Sequence, residues 1–219
     1  MLKRTFDIIL SIIAIFLSTP VLIIIILLIK FTSKGPVFFI QERIGLNGKY
    51  FKMIKFRTML HNSEKEGTGL YSFEDDPRIT KLGHFLRRVS LDEFPQFLNV
   101  LVGSMSIVGP RPPVTYELGN WSTFSPTMRK RFKVKPGITG FSQIYGRNSL
   151  GWDRKIAYDI LYINKYKRFG LLLDTYIVYK TFWIVLTGQG NLEKKEEMNL
   201  NKKIAKRAQE NNKEKIDEQ

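Results

Sequence analysis

An apolar run over residues 6–29 constrains this chain more than any other feature, because Asp7 is its only charged residue. A helix of this length can cross a bilayer core of roughly 30 Å. The run is too long for the apolar part of a cleaved signal peptide, and no small-x-small cleavage site follows it. The sequence therefore predicts a membrane segment near the N-terminus.

Ser18, Thr19 and Pro20 interrupt this run near its middle. Proline removes a backbone donor and clashes with the preceding turn, so it kinks or breaks a helix. Cations flank both ends of the run: Lys3, Arg4, Lys30 and Lys34. The positive-inside rule thus gives no direction across the membrane, and both ends would prefer the cytoplasm. We predict a re-entrant helix-break-helix that enters and leaves by one face; a kinked transmembrane helix is the alternative.

Composition limits the chemistry that the rest of the chain can perform. The 219 residues include no cysteine, which excludes disulfides, thiolate nucleophiles and cysteine-based zinc sites. His61 and His84 are the only imidazoles, so carboxylates and arginines remain as reactive groups. Residues 1–192 carry 27 basic and 13 acidic residues, a net charge of +14. Such a surface suits phosphate-bearing partners: nucleic acid, anionic lipid head groups or a nucleotide.

Residue patterns predict an α+β, mostly helical chain. Aromatic and β-branched residues at 37–43 and 50–57 flank Asn47-Gly48, a dipeptide typical of hairpin turns. Apolar side chains recur at helical spacing at 91–102. Two further helices are predicted at residues 155–168 and 171–186. Their mixture of aromatic, aliphatic and basic residues suits amphipathic interfacial helices in the head-group plane, and ordinary surface helices are the alternative.

Ser90-Leu91-Asp92-Glu93 matches the capping box, in which serine caps a helix and acids favour its positive N-terminus. By spacing alone we favour this structural interpretation. Pro95 opposes it, since proline at the fifth helical position deletes a backbone hydrogen bond. In the chemical alternative, Asp92 and Glu93 diverge and take different roles, one attacking and the other orienting or transferring a proton.

Several shorter segments are candidates for phosphate or metal binding. Gly109-Pro110-Arg111-Pro112-Pro113 holds one arginine in a stiff turn, suited to bidentate phosphate contact. Lys135-Pro136-Gly137-Ile138-Thr139-Gly140 and Tyr145-Gly146-Arg147-Asn148 are glycine turns flanked by cations. Glu74-Asp75-Asp76 could bind a divalent ion, although such runs are more often solvated loops, and residues 61–76 are predicted to form a mobile loop.

An ordered set of motifs carries a family resemblance: Gly35-Pro36-Val37-Phe38-Phe39, Gln41-Glu42-Arg43-Ile44-Gly45, Lys55-Phe56-Arg57-Thr58-Met59, Ser90-Leu91-Asp92-Glu93-Phe94-Pro95-Gln96, Gly103-Ser104-Met105-Ser106, Gly109-Pro110-Arg111-Pro112, Lys135-Pro136-Gly137-Ile138-Thr139-Gly140 and Gly146-Arg147-Asn148. Over roughly residues 2–187 the chain resembles the bacterial sugar transferase family, the monotopic polyprenyl-phosphate phosphoglycosyltransferases. Many motifs in one order are far more specific than any one of them.

The resemblance implies a reaction. A sugar 1-phosphate would pass from a UDP-sugar to a polyprenyl phosphate such as undecaprenyl phosphate, with release of UMP. Asp92 would be the nucleophile and form an acyl phosphate with the sugar phosphate. Mg²⁺ is the implied cofactor, because a doubly charged diphosphate repels a carboxylate, with Asp92 and Glu93 as ligands. Glu93 would assist at the metal or carry a proton.

The resemblance also implies phosphate contacts and a cellular setting. The candidate phosphate-binding residues are Arg57, Arg87, Arg88, Arg111 and Arg147. The family's Ser-Pro helix break would correspond to Ser18-Thr19-Pro20, with one residue inserted. The chain would be monotopic on the cytoplasmic face of the bacterial inner membrane. Membrane lipid would be a partner, nucleic acid would not, and downstream glycosyltransferases would use the product.

Three segments are predicted: the membrane helix at 1–34, the catalytic domain at 35–190 and a charged tail at 191–219, either a solvated helix or disordered. The extent of the resemblance predicts the minimal form of the family, without the extra domains of larger members. Asp174 matches an acidic family position that could lie near the site, and the favoured interpretation is a helix N-cap.

Two other functions are weighed against this one. A membrane-anchored basic protein could bind anionic lipid or nucleic acid through its positive charge without catalysis. An ordinary glycosyltransferase could hold a metal at Glu74-Asp75-Asp76 and would release UDP instead of UMP.

Overall fold

The computed structural model describes residues 2–61, 63, 76–115, 117–118, 121, 124–146 and 150–187. The predicted tail at 191–219 lies outside these residues, as does most of the predicted loop at 61–76. Within the described part the chain is mostly helical, as predicted, and it has a second small sheet besides the predicted hairpin.

The N-terminal apolar run forms one helix, α1 (Leu2–Thr32), with Pro20 inside it. It is the one helix among the described residues that is long and apolar enough to cross a membrane. The predicted helix-break-helix is not confirmed, because helix is assigned on both sides of Pro20 and through it. Ser18 Oγ donates to the Ala14 carbonyl at 2.6 Å, and Thr19 Oγ1 donates to the Ile15 carbonyl at 2.7 Å. Both hydroxyls thus bond carbonyls one turn back, a local contact that serine and threonine make within helices.

Helix α1 packs against the rest of the protein near both of its ends, and the residues between them are not buried. Asp7 and Ser11 are buried near the start, Ile25 and Ile29 near the end, and none of the residues 12–24 is buried. The Asp7 carboxylate accepts hydrogen bonds from Ser106 Oγ and the Ile107 N–H, both at 3.1 Å. The exposed middle carries large apolar side chains: Ile12, Ile13, Phe16, Leu17, Val21, Ile23 and Ile24.

The predicted hairpin is confirmed as β1 (Phe38–Ile44) and β2 (Tyr50–Phe56), which pair antiparallel. At the turn, Asn47 and Gly48 adopt φ values of 55° and 77°, a left-handed conformation that asparagine and glycine tolerate best.

The remaining elements surround this hairpin. They are α2 (Lys81–Arg88), α3 (Gln96–Leu101), β3 (Ser106–Val108), α4 (Pro126–Lys130), β4 (Gly137–Thr139), α5 (Phe141–Ile144), α6 (Trp152–Phe169) and α7 (Leu171–Thr187). Strands β3 and β4 pair in parallel. The Asn99 side chain on α3 closes the outer edge of β2: its amide donates to the Lys52 carbonyl at 2.8 Å and its oxygen accepts from the Ile54 N–H at 3.0 Å. Helix α3 therefore fixes the position of β2.

Two apolar clusters join these elements. One contains Val100, Met105, Phe141, Tyr162 and Ile177, and it packs α3, β3, α5, α6 and α7 together. The other joins the end of α1 to β2 and α2 through Ile25, Ile29, Phe56 and Leu86. The second cluster attaches the apolar helix directly to the strand and helix that carry basic residues.

The two predicted C-terminal helices are confirmed as α6 and α7, but the interpretation of Asp174 as an N-cap is wrong. Asp174 lies in the first turn of α7, fully buried, where it pairs with Lys3 and accepts a hydrogen bond from Tyr162 Oη at 2.9 Å. The carboxylate thus ties the start of α1 to α6 and α7.

We expect Gly83→Ala to separate α2 from the end of the hairpin. A Cβ at Gly83 would lie 2.0 Å from the Thr58 carbonyl oxygen, so the backbones must move apart. Overpacking of this kind costs about 1–3 kcal/mol, and thermal unfolding in detergent should report it. Gly151→Ala is the matched control, because no atom of the described residues lies within 4 Å of its Cβ position. Equal melting temperatures for the two variants would contradict this close packing.

Candidate active site

Backbone conformation, and not side-chain capping, determines the shape of the segment between α2 and α3. Ser90 has φ 55° and ψ 19°, a left-handed conformation, and its side chain makes no capping hydrogen bond. The predicted capping box is therefore wrong, and the predicted helix at 91–102 is divided into a 3₁₀ turn, Leu91–Glu93, and α3. Pro95 explains the division, because it has no N–H to continue the first turn and instead precedes a new helix.

The 3₁₀ turn sends Asp92 and Glu93 into different environments. Asp92 is 8% exposed, and no described residue forms a hydrogen bond or ion pair with its carboxylate. Glu93 Oε1 pairs with Lys55 Nζ at 2.6 Å and with Arg111 Nη2 at 3.0 Å. The two adjacent side chains thus diverge, as the chemical alternative expected: Glu93 is held by two cations, and Asp92 has no hydrogen bond or ion pair with a described residue.

The same environments shift the two carboxyl pKa values in opposite directions. Burial raises the pKa of Asp92, although the charges of Lys55, Arg87 and Arg111 oppose this effect. Burial would also raise the pKa of Glu93, but Arg111 and Lys55 outweigh it, and the net result is a pKa far below the usual range. Glu93 is therefore the permanent anion of the pair.

Basic residues from three elements approach these carboxylates. Lys55 comes from β2 and Arg111 from the turn after β3. Arg87 comes from the last turn of α2, where its Nε donates to Thr58 Oγ1 at 2.8 Å. Burial lowers the pKa of Arg87, and the negative charge of Asp92 is the largest effect opposing it. Arg87 thus supplies positive charge on the Asp92 side of the site.

Other predicted site residues lie elsewhere. Arg57 is buried and donates through Nη2 to the Ser33 carbonyl at 2.9 Å and to Ser33 Oγ at 2.7 Å, at the end of α1. The structure therefore places Arg57 beside the end of the apolar helix, and these two hydrogen bonds go to Ser33 and not to Asp92 or Glu93. Arg88 is exposed on α2. Arg147 lies outside the described residues, as do Glu74 and Asp75.

Lys55 was not among the sequence candidates. The sequence signal for Lys55 was the alternation of strand β2: Met53 and Lys55 lie two residues apart, so their side chains share one face of the strand. Asn99 holds that strand by hydrogen bonds along its edge. A lysine at the end of an apolar strand is ambiguous in sequence, because its partner Glu93 is 38 residues away.

The carboxylates of Asp92 and Glu93 are suitable ligands for a Mg²⁺ ion that is bound together with a phosphate substrate. Among the described residues there is no group of three or more acidic or histidine side chains that could form a protein cage. Mg²⁺ is commonly bound by one or two carboxylates together with substrate phosphates and water, and Asp92 offers an unengaged carboxylate beside Glu93. Asp76 does not contribute, since Arg78 binds it at 2.7 Å.

A carboxylate pair of which Asp92 is buried and Glu93 half-buried, surrounded by Lys55, Arg87 and Arg111, is typical of an enzyme that acts on phosphate-bearing substrates. Comparison with known proteins supports that class. The family model described as bacterial sugar transferase matches residues 1–188, and the chain belongs to this family. It is an enzyme of the sugar-transferase type.

Relatives include the exopolysaccharide production protein ExoY of Sinorhizobium fredii, 37% identical over 86% of this chain and 87% of the relative. The UDP-glucose:undecaprenyl-phosphate glucose-1-phosphate transferase of Escherichia coli is 42% identical over 83% of this chain and 39% of the relative. The UDP-N-acetylgalactosamine-undecaprenyl-phosphate N-acetylgalactosaminephosphotransferase of Aeromonas hydrophila is 40% identical over 86% of this chain and 44% of the relative. The chain thus spans most of the first relative and under half of the other two.

The opposite pKa shifts predict opposite effects of amide substitution on stability. Asp92→Asn should raise the melting temperature at pH 7, because ionised Asp92 is penalised by burial in the folded state alone. This gain should disappear as the pH falls through the raised pKa and Asp92 itself becomes neutral. Glu93→Gln should lower stability at pH 7, since hydrogen bonds to charged groups contribute about 1.5–3 kcal/mol, and this loss should persist at pH 4 because the Glu93 pKa is lowered. Melting curves between pH 4 and 8 would contradict the assignment if both variants shifted in one direction.

Proposed function

We propose that this enzyme transfers a sugar 1-phosphate from a UDP-sugar to polyprenyl phosphate, undecaprenyl phosphate in bacteria, through a covalent intermediate on Asp92. An Asp92 carboxylate oxygen attacks the sugar-bearing phosphorus, and the bond to the bridging oxygen breaks, so that UMP leaves with the electron pair. An oxygen of the lipid phosphate then attacks the same phosphorus and displaces Asp92, giving the polyprenyl diphosphate sugar. The observation that carries the proposal is a buried Asp92 carboxylate that no described residue engages.

Burial makes Asp92 suitable as a nucleophile. A carboxylate that accepts no hydrogen bonds from the protein has its lone pairs available for attack. Because a poorly solvated anion is less stable, it forms a bond to phosphorus more readily. The raised pKa expresses the same cost. The positive charges of Lys55, Arg87 and Arg111 oppose this cost and favour the ionised form that attacks.

Glu93 suits an orienting role better than a proton-carrying role. Its lowered pKa means that it holds no proton near pH 7, so it cannot deliver one. Instead it holds the Lys55 ammonium and the Arg111 guanidinium close to Asp92. Both cations keep donors that can meet the diphosphate oxygens, Arg111 in the planar fork that matches phosphate. Arg87 adds a third cation, and Arg88 and Arg147 remain predicted contacts.

Mg²⁺ belongs to the proposal as a substrate-borne ion. Asp92 and Glu93 would hold it together with the diphosphate, and when bound it would neutralise the phosphate charge that repels an attacking carboxylate. The residues described above would bind and orient the substrate around it.

The manner in which α1 is held favours re-entrant entry into the membrane. Arg4 near its start donates to the Val100 and Leu101 carbonyls, while Ser33 just after its end binds Arg57. One catalytic domain thus holds both ends, and cations flank both ends. A domain with a charged surface cannot follow a helix across a bilayer, so both ends belong on the cytoplasmic face.

Helix α7 would lie in the head-group region beside α1. Its exposed side chains recur every three or four residues: Leu172, Tyr176, Tyr179, Trp183 and Leu186. Aromatic rings with polar tips are favoured at the membrane interface. The lipid phosphate of the acceptor would enter the site at this level, and its diphosphate product would pass to downstream glycosyltransferases.

The competing functions find less support. The names of the relatives describe transferases and do not support a noncatalytic binding protein. A metal site at residues 74–76 would need the Asp76 carboxylate, which is buried and paired with Arg78.

Asp92→Asn should lower UMP release from a UDP-sugar by about a thousandfold or more, as expected for loss of a nucleophile. Wild-type enzyme given UDP-sugar and Mg²⁺ without polyprenyl phosphate should gain a phosphosugar on the peptide containing Asp92, detected by mass spectrometry and removed by hydroxylamine. Chelation of divalent ions should abolish this adduct. Asp153→Asn, at an exposed acid of α6, is the control. Normal turnover by Asp92→Asn, or release of UDP, would rule out this mechanism.

Single cysteines can test the topology cleanly, because the chain contains none. Cysteines at Leu2 and Lys34 should both react with an impermeant maleimide in inverted vesicles and be protected in right-side-out vesicles. A cysteine at Phe16, which the protein leaves exposed, should react only after detergent is added, because lipid covers it. Reaction of Leu2 and Lys34 from opposite sides would establish a transmembrane helix.

A further inference from the structure

The turn that carries Arg111 cannot stabilise itself through its own backbone. Pro110, Pro112 and Pro113 have no N–H groups, so Arg111 supplies the one backbone donor among these four residues. A proline after Arg111 also restricts Arg111 to extended conformations. The prolines limit the turn's flexibility, but its placement must come from donors elsewhere.

Each of its four carbonyl groups accepts one hydrogen bond from outside the turn. The backbone N–H groups of Gly137 and Ile44 donate to Pro110 at 2.9 Å and to Pro113 at 3.1 Å. Two arginine side chains serve the middle of the turn. Arg131 Nη2 donates to the Arg111 carbonyl at 2.7 Å, and Arg43 Nη1 donates to the Pro112 carbonyl at 3.0 Å.

Arg131 is itself fixed more firmly than any other cation near the site. It is 1% exposed, and its Nη2 and Nε lie 2.7 Å and 2.9 Å from Asp159 Oδ2. The rings of Phe132 and Trp152 lie 5.1 Å and 5.0 Å from its guanidinium carbon. Its planar fork therefore meets Asp159 and the Arg111 carbonyl at once, which a lysine could not reproduce.

We propose that Arg131 is a positioning residue for sugar-phosphate transfer: it holds the Arg111 backbone so that the Arg111 guanidinium meets Glu93 beside the nucleophile. The inference rests on the proposed function, in which Arg111 contacts the diphosphate. Arg131 touches neither Asp92 nor Glu93 among the contacts described, so it acts only through Arg111. Arg43 supports the same turn one residue further along.

Kinetics of UMP release by four proteins test the coupling: wild type, Arg131→Lys, Arg111→Lys and the double variant. Because a misplacement of 1 Å can cost about 100-fold, we expect Arg131→Lys to lower kcat/KM by about 10–100-fold. The loss should fall on the same parameter, kcat or the KM for UDP-sugar, as in Arg111→Lys. In the Arg111→Lys background, the change at Arg131 should cost less than about twofold more. Arg129→Lys, at an exposed arginine of α4, should match the wild type.

Equal fold losses from Arg131→Lys in both backgrounds would overturn the inference and leave a general role in stability, while the proposed function would stand. Wild-type kinetics of Arg131→Lys would overturn it as well. Wild-type kinetics of Arg111→Lys would instead remove Arg111 from the proposed mechanism, and the inference with it. If Arg131→Lys does not fold, Arg43→Lys replaces it in the same four-protein comparison, because Arg43 donates to the adjacent carbonyl.

Discussion

The ion pairs of Glu93 connect three parts of the chain that are distant in sequence. Lys55 comes from the hairpin, Arg111 from the proline-rich turn and Glu93 from the segment between α2 and α3. Because the side chains are largely shielded from water, each charge would be costly without the others. Two cations against one anion leave a net positive charge, which opposes the cost of burying a second carboxylate, Asp92, beside them.

The same arrangement relates the site to the apolar helix. Lys55 and Arg57 lie two residues apart at the end of β2; the first contacts Glu93 and the second contacts Ser33 after α1. Between them, Phe56 packs against Ile25 and Ile29 of α1 and against Leu86 of α2. Three successive residues thus contact the carboxylate pair, the apolar cluster and the end of the apolar helix α1. For an enzyme proposed to use both a water-soluble nucleotide and a lipid, this short connection places both at one site.

Local patterns in the sequence predicted most of the elements but not how they meet. The hairpin and the two C-terminal helices follow from alternation, Asn47-Gly48 and helical spacing, all of which are local. The capping box at Ser90 failed because one proline, Pro95, outweighed a favourable four-residue pattern. The partners of Arg57 and Asp174 could not be predicted for a different reason. Ser33 follows α1 and Lys3 lies on it, and side-chain pairing over such separations leaves no mark in a single sequence.

A carboxylate that acts as a nucleophile, as proposed for Asp92, is difficult to position, because hydrogen bonds that would fix it would also occupy its lone pairs. In this protein the backbone restricts its position instead. The left-handed conformation at Ser90 and the proline at position 95 confine Asp92 to a 3₁₀ turn between two helices, so that its side chain is directed without a partner. Glu93, one residue on, takes the cations that would otherwise pair with Asp92. The two adjacent acids therefore differ in their surroundings: Glu93 is strongly paired with cations, and Asp92, the proposed nucleophile, has no hydrogen-bond partner among the described residues.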